Sequence, residues 1–315
     1  MKILNAEPED YSEKAKELLG SIGKLVEEKC DRGRLLELIP DIDVLIVRLR
    51  NRIDREVLGR ARNLKVIVSA TTGLNHIDLD VAEEMNIRVL SLKGERKFLE
   101  GLTATAELTW GLLLSLIRDI PNASRSVVGG FWDRNLFRGH QLKNKTLGVV
   151  GFGRLGSRVA EYGKTFQMNV ISYDPYVETM PKWVEKVDFE GVLRRSDILT
   201  LHVNLNDETT GLLDREAFSK IKKGAVLINT SRGELIDENE LVRSLVSGNL
   251  AGAALDVLCN ETSSIEGWLH SNAVWRYAID HDNVIIVPHI GGATVESMAD
   301  AELFMAEKLA AYLKG

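Results

Sequence analysis

The sequence predicts an α/β protein made of two doubly wound domains with parallel sheets. Three observations carry this. Short β-rich runs alternate with amphipathic segments along the chain, the pattern of successive βαβ units. One such run, Thr146–Val150, passes straight into a glycine turn and a helix-like segment. A chain of 315 residues also has room for two domains of about 100–200 residues each.

Taken in order, Lys2–Asn5 reads as a strand and Tyr11–Leu19 as a helix, with Val44–Val47 and Lys65–Ser69 as β runs. Leu79–Met85 is a short helix before the run Ile87–Ser91, and the charged stretch Lys93–Lys97 follows. A helix is expected from about Thr103 to Ile120. Its uncharged part, Leu108–Ile117, is too short for a bilayer, which needs about 20 apolar residues. It reads as a buried helix ended by Pro121. Gly129-Gly130 and Phe131-Trp132 mark a loop. After Thr146–Val150 and Asn169–Tyr173 come β runs at Ile198–His202, Ala225–Asn229, Ala251–Asp256 and Val284–Val287. Helices fall at about Leu213–Lys220 and Asp237–Ser247, the latter with Asp237 as N-cap, and finally at Val295–Leu313.

Composition narrows the function. Hydrophobic content of 44% and charged content of 27% describe an ordinary soluble domain. A net charge of −6 gives no basic face for nucleic acid. Cys30 and Cys259 show no metal or redox spacing, so no metal site is expected and a reducing cytoplasm fits. The start turns polar after Met1-Lys-Ile-Leu, so no leader peptide is expected.

The glycine turn is Gly151-Phe-Gly153-Arg-Leu-Gly156. Gly151 permits the tight turn, Gly153 lets backbone approach a pyrophosphate, and Gly156 lets the helix pack on the strand. The helix N-terminus then offers N–H groups to phosphates. Asp174 closes the next β run, where a carboxylate accepts from ribose hydroxyls and repels a 2′-phosphate, predicting NAD over NADP.

Three later strand ends hold candidate reactive groups. Arg232, in Ile228-Asn-Thr-Ser-Arg-Gly233, can present a planar fork to a carboxylate. Asp256 and Glu261 lie in Asp256-Val-Leu-Cys-Asn-Glu261, where Asp256 could contact a nicotinamide. His289, in Val287-Pro-His-Ile-Gly-Gly-Ala-Thr294, can trade a proton near neutral pH. Each alone reads better as a surface, loop or structural residue. Together they recur in order at carboxyl ends of strands, where open α/β sheets bind ligands.

These segments, with Ser69-Ala-Thr-Thr-Gly-Leu-Asn-His-Ile-Asp78, Thr103–Glu107 and Tyr173-Asp-Pro175, resemble the D-isomer-specific 2-hydroxyacid dehydrogenases, phosphoglycerate dehydrogenase-like members included. The resemblance spans nearly the whole chain. It implies a Rossmann NAD-binding domain over 99–291 and a discontinuous, flavodoxin-like substrate domain over 1–98 and 292–315, with the active site between them. It implies an NAD-dependent exchange of a D-2-hydroxy acid and its 2-keto acid, with D-3-phosphoglycerate as one candidate substrate. His289 would be the general acid. Glu261 would orient it and favour its charged ring. Arg232 would hold the substrate carboxylate and carbonyl, and N–H groups around Thr72, Gly73 and Leu74 would share the carboxylate. Arg154 and Leu155 would meet the pyrophosphate, and Asp174 the ribose. His202 and Thr230 would lie beside the cofactor, and Asp256 would accept from its carboxamide. A homodimer through the NAD-binding domain is also implied, which suits the apolar helix near Trp110 and the Phe131-Trp132 pair.

Some positions depart from the family pattern. Thr262 stands where proline usually follows the catalytic glutamate, a proline is missing near Asn204, and Ser263–Asn283 is long, with Trp268 and Trp275. Arg48, Arg50 and Arg52 follow the Val44–Val47 run. By resemblance Arg48 would bind a substrate phosphate, though alternating arginines also suit a solvated edge. Two other functions stay open on this scaffold: an NAD(H)-sensing corepressor-like binding protein, and phosphite dehydrogenase. Formate dehydrogenase, which carries glutamine at the position of Glu261, fits less well.

Overall fold

A computed structural model describes residues 1–261 and 267–315. Thr262 and the start of the Ser263–Asn283 segment lie outside the described residues. The chain forms two compact units, residues 1–102 with 293–315, and residues 103–261 with 267–292.

The first unit runs β1 (Lys2–Asn5), α1 (Glu13–Ile22), β2 (Lys24–Glu27), α2 (Arg32–Leu38), β3 (Val44–Val47), α3 (Arg55–Arg60), β4 (Val66–Ser69), α4 (Leu79–Glu84), β5 (Arg88–Ser91) and α5 (Arg96–Leu99). Its five strands are all parallel, in the order β2-β1-β3-β4-β5, which is the flavodoxin-like order. Alternate residues of β3 supply two cores. Leu45 and Val47 pack with Leu35, Ile39, Val57 and Leu58, while Val44 and Ile46 pack with Ala15 and Leu19. Both faces are covered, so the strand reads as a continuous apolar run.

The second unit opens with α6 (Ala104–Ile117) and α7 (Ile120–Val128). The single helix expected over 103–120 is therefore two. Asp119 adopts the left-handed region at φ +51° and breaks the first helix ahead of the proline. Pro121 does not end a helix. It sits in the first turn of α7, where its missing N–H costs nothing.

The unit continues with β6 (Thr146–Val150), α8 (Arg154–Thr165), β7 (Asn169–Tyr173), β8 (Val184–Lys186), α9 (Phe189–Arg195), β9 (Ile198–Leu201), α10 (Arg215–Lys220), β10 (Ala225–Asn229), α11 (Glu238–Val246), β11 (Leu250–Leu255), α12 (Trp268–Ser271), α13 (Ala273–Asp280) and β12 (Val284–Ile286). The seven parallel strands take the order β12-β11-β10-β9-β6-β7-β8. This is the doubly wound dinucleotide-binding order with one strand added, and it reverses between β6 and β9. Asp237 caps α11 through the N–H groups of Asn239 and Glu240. A last helix, α14 (Val295–Lys314), returns to the first unit and buries Ala301, Met305, Ala306 and Leu309 against the sheet face that α1 covers.

Candidate active site

The glycine turn lies at the reversal point of the second sheet. Gly151 leaves β6 at φ +91°, and its N–H donates to the Tyr173 carbonyl at 2.8 Å. A side chain at Gly151 would put Cβ 2.6 Å from the carbonyl oxygen of His202, the residue after β9. At Gly156 it would lie 1.9 Å from the Gly151 carbonyl oxygen. Both glycines are therefore required by backbone contact. Gly153 has open space where its Cβ would be, and as N-cap of α8 it brings no side chain to the first-turn N–H groups. Phosphate oxygens can supply what that cap lacks. Arg154 stands in this first turn, its pKa pulled down by burial and then by the like charge of Arg158.

Asp174 is bonded to the same turn. One carboxylate oxygen accepts from the Phe152 N–H at 2.7 Å, and the other from the Tyr176 and Val177 N–H groups at 2.8 and 3.2 Å. The acid at the end of β7 is thus fixed beside the glycine turn that precedes α8. His202 Nε2 meets Thr200 Oγ1 at 2.9 Å, while its Nδ1 is buried with no hydrogen-bond partner among the described residues. Burial pushes this ring down to about 3, so it is neutral. A buried ring nitrogen without a partner, near a glycine turn with open space at Gly153, suits a dinucleotide. Thr230 is nearly buried and shares a 2.9 Å hydroxyl contact with Thr109 of α6.

Three consecutive strand ends carry the candidate reactive residues. After β10, the buried Asn229 side chain closes the turn in both directions: Oδ1 accepts from the Ser231 N–H at 2.9 Å, and Nδ2 donates to the Arg232 carbonyl at 2.8 Å. Arg232, half-buried, follows from this closed turn. Asn229 lay inside the sequence motif, yet nothing in the sequence announced its bracing role. After β11 comes the loop with Glu261, and after β12 comes His289.

His289 Nδ1 and Glu261 Oε1 are 2.6 Å apart, with the histidine side chain 25% exposed and the glutamate 17%. An ionised carboxylate only accepts, so Nδ1 carries the proton and Nε2 is the nitrogen left for a ligand. His289 holds φ +51°, a conformation that L residues with a Cβ adopt at a cost. Asp256 holds it there. Its carbonyl accepts from the His289 N–H at 2.8 Å, and its carboxylate accepts from the Ile290 and Gly291 N–H groups at 2.6 and 2.8 Å.

Asp256 thus braces the histidine turn: it is 1% exposed, and each carboxylate oxygen accepts one backbone N–H. Burial pushes it up to about 6 against the pull of those two N–H groups.

The Arg48 guanidinium pairs with Glu302 of α14, donates to the Glu9 carbonyl at 3.1 Å and lies over the Tyr11 ring. Glu302 is 1% exposed. A substrate phosphate expected at Arg48 would have to compete with this buried carboxylate. Arg50 pairs with Glu9 at 2.8 Å on the exposed edge. In the same unit, the turn after β4 that holds Thr72, Gly73 and Leu74 is fastened by Thr71 Oγ1, which meets Ser69 Oγ at 2.9 Å and donates to the Gly73 carbonyl at 2.8 Å. No cluster of potential metal ligands occurs among the described residues, and no described helix is long and apolar enough to cross a membrane.

The sequence profile of the D-isomer specific 2-hydroxyacid dehydrogenase NAD binding domain matches residues 110–291. A D-3-phosphoglycerate dehydrogenase of Archaeoglobus fulgidus is 36% identical over 320 residues, covering 100% of this chain and 58% of its own length. The chain thus spans little more than half of that relative. A hydroxypyruvate reductase of Thermotoga maritima is 35% identical over 286 residues, covering 91% of this chain and 90% of its own. The crystal structure of a D-lactate dehydrogenase of Aquifex aeolicus with NAD and lactic acid superposes with a TM-score of 0.84 at 27% identity, covering 100% of this chain and 96% of that one.

Proposed function

The chain belongs to the D-isomer specific 2-hydroxyacid dehydrogenase family, and from that premise we propose that it interconverts a D-2-hydroxy acid and its 2-keto acid with NAD(H). The observation that carries this reading is the His289–Glu261 pair, braced by Asp256 and following Arg232 at successive strand ends.

The residues divide the work as follows. Gly151, Gly153 and Gly156 give the pyrophosphate its cradle, with Arg154 and Leu155 at its rim. Asp174 takes the ribose hydroxyls and selects NAD, and His202 and Thr230 border the cofactor. When bound, the nicotinamide supplies or takes up the hydride. Arg232 binds the carboxylate and carbonyl of the keto acid through two N–H groups. His289, protonated on both nitrogens, gives the Nε2 proton to the carbonyl oxygen as its carbon gains the hydride, and takes it back in the reverse direction. Glu261 accepts from Nδ1 and keeps the ring oriented. In the first unit, N–H groups of Thr72, Gly73 and Leu74 are assigned to the carboxylate. No residue is assigned to a distal phosphate, since Arg48 is paired within its own unit.

A glutamate rather than glutamine at position 261 favours this reading over formate oxidation, where no proton reaches a carbonyl oxygen. The test is NADH oxidation, followed by absorbance, against pyruvate, glyoxylate, hydroxypyruvate and phosphohydroxypyruvate, with phosphite and NAD as a separate arm. Turnover of a keto acid that is lost in His289→Ala and Arg232→Ala supports the reading. Tight NADH binding with no turnover of any of them overturns it in favour of a sensing role.

For partners, we assign a second copy of the chain to the stretch from α7 onward. Val128, Phe131, Trp132 and Leu136 are 86%, 70%, 88% and 67% exposed within it, more apolar surface than a short segment usually shows to water. Light scattering should give a dimer mass that falls to a monomer with Trp132→Asp. A wild-type monomer rejects the assignment. Both cysteines are free thiols, which fits a cytoplasmic setting.

A further inference from the structure

We propose that Glu238, in the first turn of α11, is a positioning residue that fastens the backbone carrying Glu261 and so sets the aim of the His289–Glu261 pair. This rests on the reading of that pair as the proton-transfer group. One Glu238 oxygen accepts from the Cys259 N–H at 2.8 Å, and the other from Asn272 Nδ2 at 2.6 Å. Asn272 cannot turn away, because its Oδ1 caps α13 through the Val274 and Trp275 N–H groups, both at 3.0 Å. One carboxylate therefore joins the start of α11, the Glu261 loop and the start of α13.

A second acid acts on the next residue. Glu234 accepts from the Asn260 N–H at 3.3 Å, and Asn260 holds the left-handed φ +61° one position before Glu261. Behind the loop, Gly233 lies so close that a Cβ would sit 2.1 Å from the Leu258 carbonyl carbon and 2.2 Å from the Cys259 nitrogen. The Arg232 turn and the Glu261 loop are thus in backbone contact. Burial pushes the Glu238 carboxyl up from its ordinary value, opposed by its bonds to Cys259 and Asn272. A solvated helix-terminal acid has neither that burial nor those partners.

The test uses the full chain. Backbone amide exchange, read by mass spectrometry on residues 256–261, should speed up at least about tenfold in Glu238→Ala while the β9 and β10 peptides keep wild-type protection. Turnover of the best keto acid should fall about 10–100-fold in kcat, with the NADH dissociation constant unchanged by fluorescence. Glu238→Gln keeps an acceptor for the Cys259 N–H but puts an NH₂ group toward Asn272, so it should recover part of the loss. In a Glu261→Ala background, Glu238→Ala should cost little more, since the side chain it aims is already gone. Unchanged exchange at Cys259–Glu261, or additive losses in that cycle, overturns the proposal. Faster exchange in Glu238→Ala, with a wild-type protein that turns over no keto acid, upholds the clamp and rejects the functional reading on which its role was built.

Discussion

Asp256 spends its main-chain carbonyl and both carboxylate oxygens on three consecutive N–H groups, those of His289, Ile290 and Gly291. The left-handed turn that presents the histidine is therefore built by the neighbouring strand's acid. Gly291 is needed for it, since a Cβ there would lie 2.7 Å from the Asp256 carboxylate.

Glu261→Gln keeps an acceptor for His289 Nδ1 but replaces the carboxylate beside it with a neutral amide. Reduction of the keto acid should slow about 10–100-fold in kcat, and His289→Ala about 10²–10⁴-fold. NADH affinity should hold in both. Steady-state kinetics with fluorescence titration checks this, and equal loss of NADH binding would contradict the division of roles.

Asp174 is held by the Phe152, Tyr176 and Val177 N–H groups, which keep its carboxylate at the end of β7. Asp174→Ala should weaken NADH more than NADPH, cutting the preference for NADH about tenfold or more as the repulsion of a 2′-phosphate disappears. Competitive binding of the two cofactors measures it. An unchanged ratio would sink the ribose assignment.

Arg48→Ala should destabilise the first unit by about 3–5 kcal/mol, because Glu302 stays buried with its charge unpaired. Arg48→Met combined with Glu302→Gln should regain much of that. Urea unfolding reads both. A small loss in Arg48→Ala with a large rise in KM for a phosphorylated substrate would support the phosphate reading.

His202 gives the stability a slope with pH. Burial pushes the folded ring down to about 3, while the unfolded ring takes up its proton near ~6.5. The unfolded state therefore binds more protons at every pH between those values, so stability falls as pH drops through this window and is level above it. From pH 7.5 to 5 the ring alone should remove about 1–2 kcal/mol. His202→Gln should flatten that part of the curve, and parallel curves for the two proteins would refute the origin.

The strands that are apolar on both faces were legible one by one, since β1, β3, β6, β7 and β10 each read as a continuous run with the ends observed. β2 and β8 were not. They are edge strands whose residues, Lys24–Glu27 and Val184–Lys186, include charged, solvent-facing positions and give no run to see. The break at Asp119 was hidden because a left-handed residue leaves no trace in hydropathy. Arg232, Glu261 and His289 could be picked out because each follows an apolar run into a turn. The work of Asn229, Asp256 and Glu238 could not, since it depends on which distant N–H group arrives beside each side chain. Glu238 reads in sequence as an ordinary acid in the first turn of a helix, where such charges are common.

The return of α14 to the first sheet has a consequence for how the chain is made. On a ribosome, β1 to β5 emerge early, yet the face bearing Val44, Ile46, Val66 and Val68 gains Ala301, Met305 and Leu309 only after the whole second unit has been made. The second unit can close on itself while the first waits with apolar surface uncovered. Synthesis thus inverts the chain order: the half that begins first is finished last, and its exposure to chaperones and aggregation is longest.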